Sequence, residues 1–197
     1  MAATAFLFSA LKSPDPTALA RGLRKRDPEL LEWLIEQYQY RLFRYVLCIT
    51  GSREMAEDVF QETWIRVLDR GRQYDGKSKF EMWLFAISRH LVIDLQRRKT
   101  PQSLDALTDP CEKASLEFAA SDPSPLDLLS RREERASIQA WLGRLSAIHR
   151  EVLVLRFQED LQLEEIAVIL NVPLSTVKSR LYRALQLLRE ALNREST

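Results

Sequence analysis

A chain of 197 residues with 29 basic and 28 acidic side chains has a net charge of only +1, so its total charge does not point to a polyanionic partner. An apolar fraction of 46% beside a charged fraction of 29% excludes a disordered tail or a membrane-embedded bundle and indicates an ordinary globular protein. Cys48 and Cys111, with His90 and His149, are too few for a disulfide framework or for a four-ligand zinc site of cysteine and histidine, and no cofactor is expected. The opening stretch lacks a basic n-region and soon meets Lys12, Pro14 and Pro16, so neither a signal peptide nor membrane insertion is expected, and the predicted location is cytoplasmic.

The first strong element begins at Asp27-Pro28, a capping carboxylate followed by proline at the first helical position. Leu31, Leu34, Ile35, Tyr38, Leu42, Tyr45, Val46 and Ile49 then follow the three-four spacing of one buried face, until Gly51 stops the helix and Ser52 can cap the next. The second helix, predicted over 53–69, divides sharply. Ala56, Val59, Phe60, Thr63, Trp64, Val67 and Leu68 form one side, while Glu54, Asp58, Gln61, Glu62, Ile65 and Asp69 cluster on the other. After a turn with Gly71 and Gly76, the run from Phe80 to Leu95 is apolar nearly all round, as in a central buried helix, and leads into Arg97-Arg98-Lys99.

From Thr100 to Pro125 the character changes. Four prolines accompany Asp105, Asp109, Glu112, Glu117 and Asp122, against the single Lys113, which predicts a flexible acidic linker. A helix is expected to resume near Leu126 and pass Trp141, and Ser146 to cap another carrying Val152, Leu153, Leu155 and Phe157. The predicted fold is therefore all-α, with two small helical domains on either side of a tether. The divisions are an N-terminal extension over 1–18, a first domain over 19–100, the linker over 101–125 and a second domain over 126–197.

The end of the chain carries the sharpest functional pattern. Ile166, Ala167 and Leu170, a turn at Asn171-Val172-Pro173, and Val177, Leu181, Ala184 and Leu188 have the spacing of a helix-turn-helix. An ordinary helical hairpin fits that spacing too. The outer face of the second helix favours DNA. Thr176, Ser179, Arg180 and Arg183 point away from the apolar stripe with Lys178 and Tyr182 on its flank, and no glutamate falls between Glu165 and Glu190. Short hydroxyls permit close approach to a duplex, arginine can grip guanine or phosphate, and lysine adds charge.

Three blocks in this second domain, Arg150 to Phe157, Glu165-Ile166-Ala167 and Thr176 to Leu181, resemble region 4 of sigma factors of the extracytoplasmic-function type in the sigma-70 family. The resemblance implies that Thr176, Lys178, Ser179, Arg180 and Arg183 read a minus-thirty-five promoter element. Gln162 stands where the family usually has serine or threonine as a cap, which predicts a less firmly held turn, and Ser175 where glycine is usual.

Ala56 to Trp64 is similar to region 2.2 of that family. The likeness implies that Asp58, Gln61, Glu62 and Ile65 dock on the β′ coiled coil of core RNA polymerase. The block from Trp83 to His90, with Asp94, Arg97 and Arg98, is similar to regions 2.3 and 2.4. It implies that Trp83, Arg89, His90, Asp94, Arg97 and Arg98 capture the melted minus-ten strand. Trp83 lies among apolar neighbours and reads more readily as core than as a stacking platform, and His90 replaces the asparagine common at a base-reading position. Further partners implied are the polymerase β flap, promoter DNA and an inhibitory anti-sigma factor.

An operator-binding helix-turn-helix regulator is the alternative. It explains the C-terminus and leaves the Asp58–Gln61–Glu62 stripe without a task. An enzyme is not expected, since the sequence shows no phosphate-cradling glycine loop, nucleophile-histidine pairing or metal-ligand cluster.

Overall fold

The computed structural model describes residues 15–99 and 145–195, so the linker over 101–125, the helix expected from Leu126 and residues 1–14 lie outside it. Seven α-helices are present among the described residues, with no strand: α1 Pro16–Lys25, α2 Pro28–Thr50, α3 Arg53–Arg70, α4 Phe80–Lys99, α5 Ala147–Leu153, α6 Leu163–Leu170 and α7 Leu174–Glu195. A 3₁₀ turn, Gly71–Gln73, follows α3, and a π-helical turn, Val154–Gln158, follows α5. None of the described helices is long and apolar enough to cross a membrane.

The chain punctuation acts as its chemistry dictates. The Asp27 carboxylate accepts from the backbone N–H groups of Glu29 and Leu30, fixing the start of α2. Gly51 closes that helix in the left-handed region at φ 66°, and the Ser52 hydroxyl accepts from Met55 N–H to open α3. α1 starts at Pro16, inside the stretch assigned to an extension, and buries Leu19, Ala20 and Leu23. Gly22 lets Leu30 of α2 press against its backbone. Along α2 the buried stripe is Leu30, Leu34, Leu42, Tyr45, Val46 and Ile49, while Ile35, expected inside, lies one step round the helix and is partly exposed.

The two modules do not stand apart. One continuous apolar interior runs from Leu19 in α1 through Leu84 and Phe85 in α4 to Leu155, Ile166 and Val177. A smaller cluster of Leu145, Leu153 and Ala184 ties α5 to α7. The helix expected to carry Phe157 inward instead gives way to the π turn, whose wider winding leaves Phe157 64% exposed. α6 is held at its start by Glu165, whose carboxylate accepts from Gln162 N–H at 2.8 Å. The firmness a serine or threonine cap would give is thus supplied from the third helical position.

Candidate functional site

α3 and α4 lie side by side and leave an open groove of about 440 Å³ on the face of the first module. Its α3 wall presents Asp58, Gln61, Glu62 and Ile65, the four residues expected to dock a partner helix. Ile65 is half exposed, and Glu62 is steadied by Arg66 Nε at 2.9 Å, one turn on. The α4 wall brings Leu91, Asp94, Leu95 and Arg98 to the same groove. Asp94 and Arg98, expected at the minus-ten surface, therefore border the same groove as the residues expected to dock a partner. Sequence spacing did not reveal this, because it depends on how two helices pack.

The remaining minus-ten candidates separate by helical angle. At about 100° per residue, Trp83, His90, Asp94 and Arg97 fall on one face of α4, and Arg89 lies about 120° round from it. His90 and Arg97 are exposed. Trp83 is half-buried, its ring 5.4 Å from that of Tyr74 and 5.8 Å from that of Phe80. Burial and the nearby Glu81 and Asp75 push the Tyr74 phenol up to about 12, and its hydroxyl donates to the Ser78 carbonyl at 2.6 Å. These aromatic contacts lock the base of the Trp83 ring on the module.

Arg89, also expected at the minus-ten strand, is turned inward. Its guanidinium is buried and donates from Nε to Glu151 of α5 at 3.0 Å, and the Tyr45 hydroxyl donates to the same carboxylate oxygen at 2.8 Å. Burial pushes the Glu151 carboxyl up, against the opposing pull of Arg89, Tyr45 and Arg180. Burial beside Glu151 also pushes the Tyr45 phenol well above its ordinary value. Next to this cluster, Arg150 donates to the Cys48 carbonyl across the module boundary and to the Leu145 carbonyl, both at 3.0 Å.

In α7, Lys178, Ser179 and Arg183 are exposed, and Thr176 and Arg180 are half-buried. The Ser179 hydroxyl donates to the Thr176 carbonyl at 3.0 Å, and Arg183 reaches the Gln186 amide oxygen at 3.2 Å. Burial lowers the Arg180 pKa, with Glu151 opposing and Arg89 adding to the shift. Val177 and Ala184 anchor the inner face. The left-handed Asn171 (φ 51°) makes the turn before Pro173.

The fold and these surfaces are those of an all-helical protein with an open groove rimmed by carboxylates on one module and a basic helix-turn-helix on the other. The family models for Sigma-70 region 2 and Sigma-70, region 4 match residues 34–102 and 141–190. The chain is 31% identical over 175 residues to the ECF RNA polymerase sigma factor SigW of Bacillus subtilis, covering 87% of this chain and 94% of that protein. It is 30% identical over 176 residues to SigL of Mycobacterium tuberculosis, covering 89% and 96%. Among solved structures, the sigma factor RpoE in complex with the anti-sigma factor NepR from Bartonella quintana shares the fold. Its TM-score is 0.64 at 23% identity, over 82% of this chain and 96% of that one. The chain belongs to the sigma-70 family of RNA polymerase sigma factors, in the extracytoplasmic-function group. It is a transcription initiation factor that directs RNA polymerase to promoters, and the operator-binding alternative is set aside.

Proposed function

We propose that the α3–α4 groove is the seat of the polymerase β′ coiled coil, and that Asp58, Gln61, Glu62 and Ile65 are its principal contacts. The observation that carries this reading is that one outward-facing groove gathers all four, with carboxylates at its rim and Ile65 exposed beside them. Carboxylates suit a basic helix, and an exposed isoleucine supplies the apolar centre such an interface needs. Asp94 and Arg98 extend the opposite rim. His90 and Arg97 face the melted minus-ten strand, with Trp83 bracing that surface. Lys178, Ser179 and Arg183, flanked by Thr176 and Arg180, enter the major groove at the minus-thirty-five element.

The protein makes and breaks no covalent bond in this role and works in the cytoplasm, by binding and placement. The β flap is the contact proposed for the second module, and an anti-sigma factor is the proposed inhibitor, as RpoE has NepR. The test is core binding. Asp58→Lys with Glu62→Lys should weaken affinity for core polymerase by about tenfold or more, equivalent to about 1.4 kcal/mol. Stability should change by no more than about 0.5 kcal/mol, since both carboxylates sit opposite the buried stripe. Undiminished core affinity with unchanged helicity would move the docking surface elsewhere.

A further inference from the structure

α1 and the turn after α3 carry positive charge that neither the groove nor the minus-ten face uses. Helical angle sets Arg21 and Lys25 nearly opposite the buried Leu19, Ala20 and Leu23, with Arg24 on the flank, and all three are exposed. Pro16–Lys25 contains no aspartate or glutamate. Arg70, at the end of α3, and Arg72, in the 3₁₀ turn, are exposed as well. The two elements press together. A Cβ on Gly71 would lie 3.1 Å from the Leu23 carbonyl oxygen, so the five cations share one region of the surface.

The nearby carboxylates are already engaged. Asp69 meets Arg26 at 3.7 Å and Asp75 meets Lys77 at 3.6 Å. Among the described residues, no carboxylate pairs with Arg21, Arg24, Lys25, Arg70 or Arg72. The partial negative charge at the ends of α1 and α3 suits one cation each, which leaves most of the patch without a structural task.

The position of the patch points to its ligand. α1 runs along the whole connection between α3 and α4. Its Leu23 abuts Gly71, and its Pro16 carbonyl oxygen lies 2.7 Å from where a Cβ on Gly76 would stand. That connection carries Tyr74, whose ring lies 5.4 Å from that of Trp83. We propose that Arg21, Arg24, Lys25, Arg70 and Arg72 form a phosphate track that takes the backbone of the melted DNA strand where it passes beyond Trp83. The track rests on the minus-ten reading of α4 for the identity of the strand, and on the patch alone for binding a polyanion. Neither α1 nor the 3₁₀ turn holds an aromatic side chain, so bases have nothing to stack on and the track reads charge without sequence. Arg21 and Lys25 follow one another by about 6 Å along the helix axis, which makes the patch a line suited to a strand.

Binding of single-stranded oligonucleotides to holoenzyme, formed from core polymerase and the full chain, tests the track. One oligonucleotide carries the minus-ten segment alone, and others add a short random sequence on its 5′ or its 3′ side. Wild type should bind one of the extended strands more tightly, whatever the added sequence, and lose that gain as salt rises. Arg21→Gln with Arg24→Gln and Arg72→Gln should bind the short oligonucleotide as wild type does and lose the gain from the extension. On the extended strand its plot of log affinity against log salt should be shallower by about 2, at about 0.7 for each of the lost phosphate contacts. Core affinity and helicity should be unchanged, because these side chains are exposed. Lysine at the same positions keeps the charge and should keep the slope. Equal gain and equal slope in wild type and the glutamine variant would overturn the track. So would an extension that helps only as duplex, or weaker core binding by the variant with its DNA slope unchanged, which would assign the patch to polymerase. Loss of the gain in the variant, with no preference of wild type for the minus-ten segment over a scrambled one, would count against the minus-ten reading and leave the track standing.

Discussion

At the residue scale, His90 is, beside Gln162 and Ser175, one of the positions where the residue differs from the pattern the resemblance implies. It is exposed on the same face of α4 as Arg97, so its imidazole can stack on a base or make a single hydrogen bond to one. Replacement by asparagine should shift the preferred minus-ten base more than it changes activity on an optimised promoter. Alanine should lower activity on every promoter, by removing a stacking face worth about 1–3 kcal/mol. A randomised minus-ten library read with all three side chains checks this, and identical profiles would end the proposal. Arg26 offers a test of backbone physics. It closes α1 in the left-handed region at φ 53°, where a side chain is strained, and its one ion pair, with Asp69 at 3.7 Å, is exposed. Arg26→Gly should therefore stabilise the fold by about 0.5–1 kcal/mol in denaturant titration.

At the scale of elements, the helix starts and stops were legible because they depend on a few adjacent residues. Asp27-Pro28, Gly51 and Ser52 each act within one turn of their own position. The acidic stripe of α3 was legible for the same reason, since helical angle alone gathers Asp58, Gln61 and Glu62. What the sequence hid depends on remote partners. Arg89, Glu151 and Glu159 look like surface charges in isolation, and are buried only because each meets an opposite charge at least 60 positions away. The π turn was equally hidden, since Val154 to Gln158 carries no glycine or proline to announce it. The loop before α4 allows a direct test. Gly76 sits at φ 73°, and a Cβ there would lie 2.7 Å from the Pro16 carbonyl oxygen. Gly76→Ala should cost about 1 kcal/mol or more, and loosen α1 first, as read by hydrogen exchange of its amides.

For the whole molecule, the bond between Lys79 and Glu165 makes stability depend on acid. Burial works against the Glu165 carboxylate, but Lys79 and the Gln162 N–H outweigh it and hold its pKa below the ordinary value. A depressed folded pKa means that this contribution is complete above about pH 4.5 and is lost as pH falls through the folded value. Glu165→Gln should therefore flatten the fall in thermal midpoint below that pH while leaving the midpoint's pH dependence near neutrality unchanged. Glu151 acts in the opposite sense, because its carboxyl is pushed up and its contribution fades as pH rises.

On the proposed reading, one small helical chain joins polymerase through its first module and reads promoter DNA through its second. Run-off transcription on genomic fragments tests it most directly, with core polymerase supplemented by wild type, by Asp58→Lys with Glu62→Lys, or by Arg183→Ala. Wild type should give discrete promoter-dependent transcripts. The α3 variant should lose them together with core binding. Arg183→Ala should stay bound to core but initiate less, with relaxed upstream specificity if a base contact worth about 1–3 kcal/mol is lost. Core polymerase producing the same transcripts with and without the wild-type chain would contradict the claim.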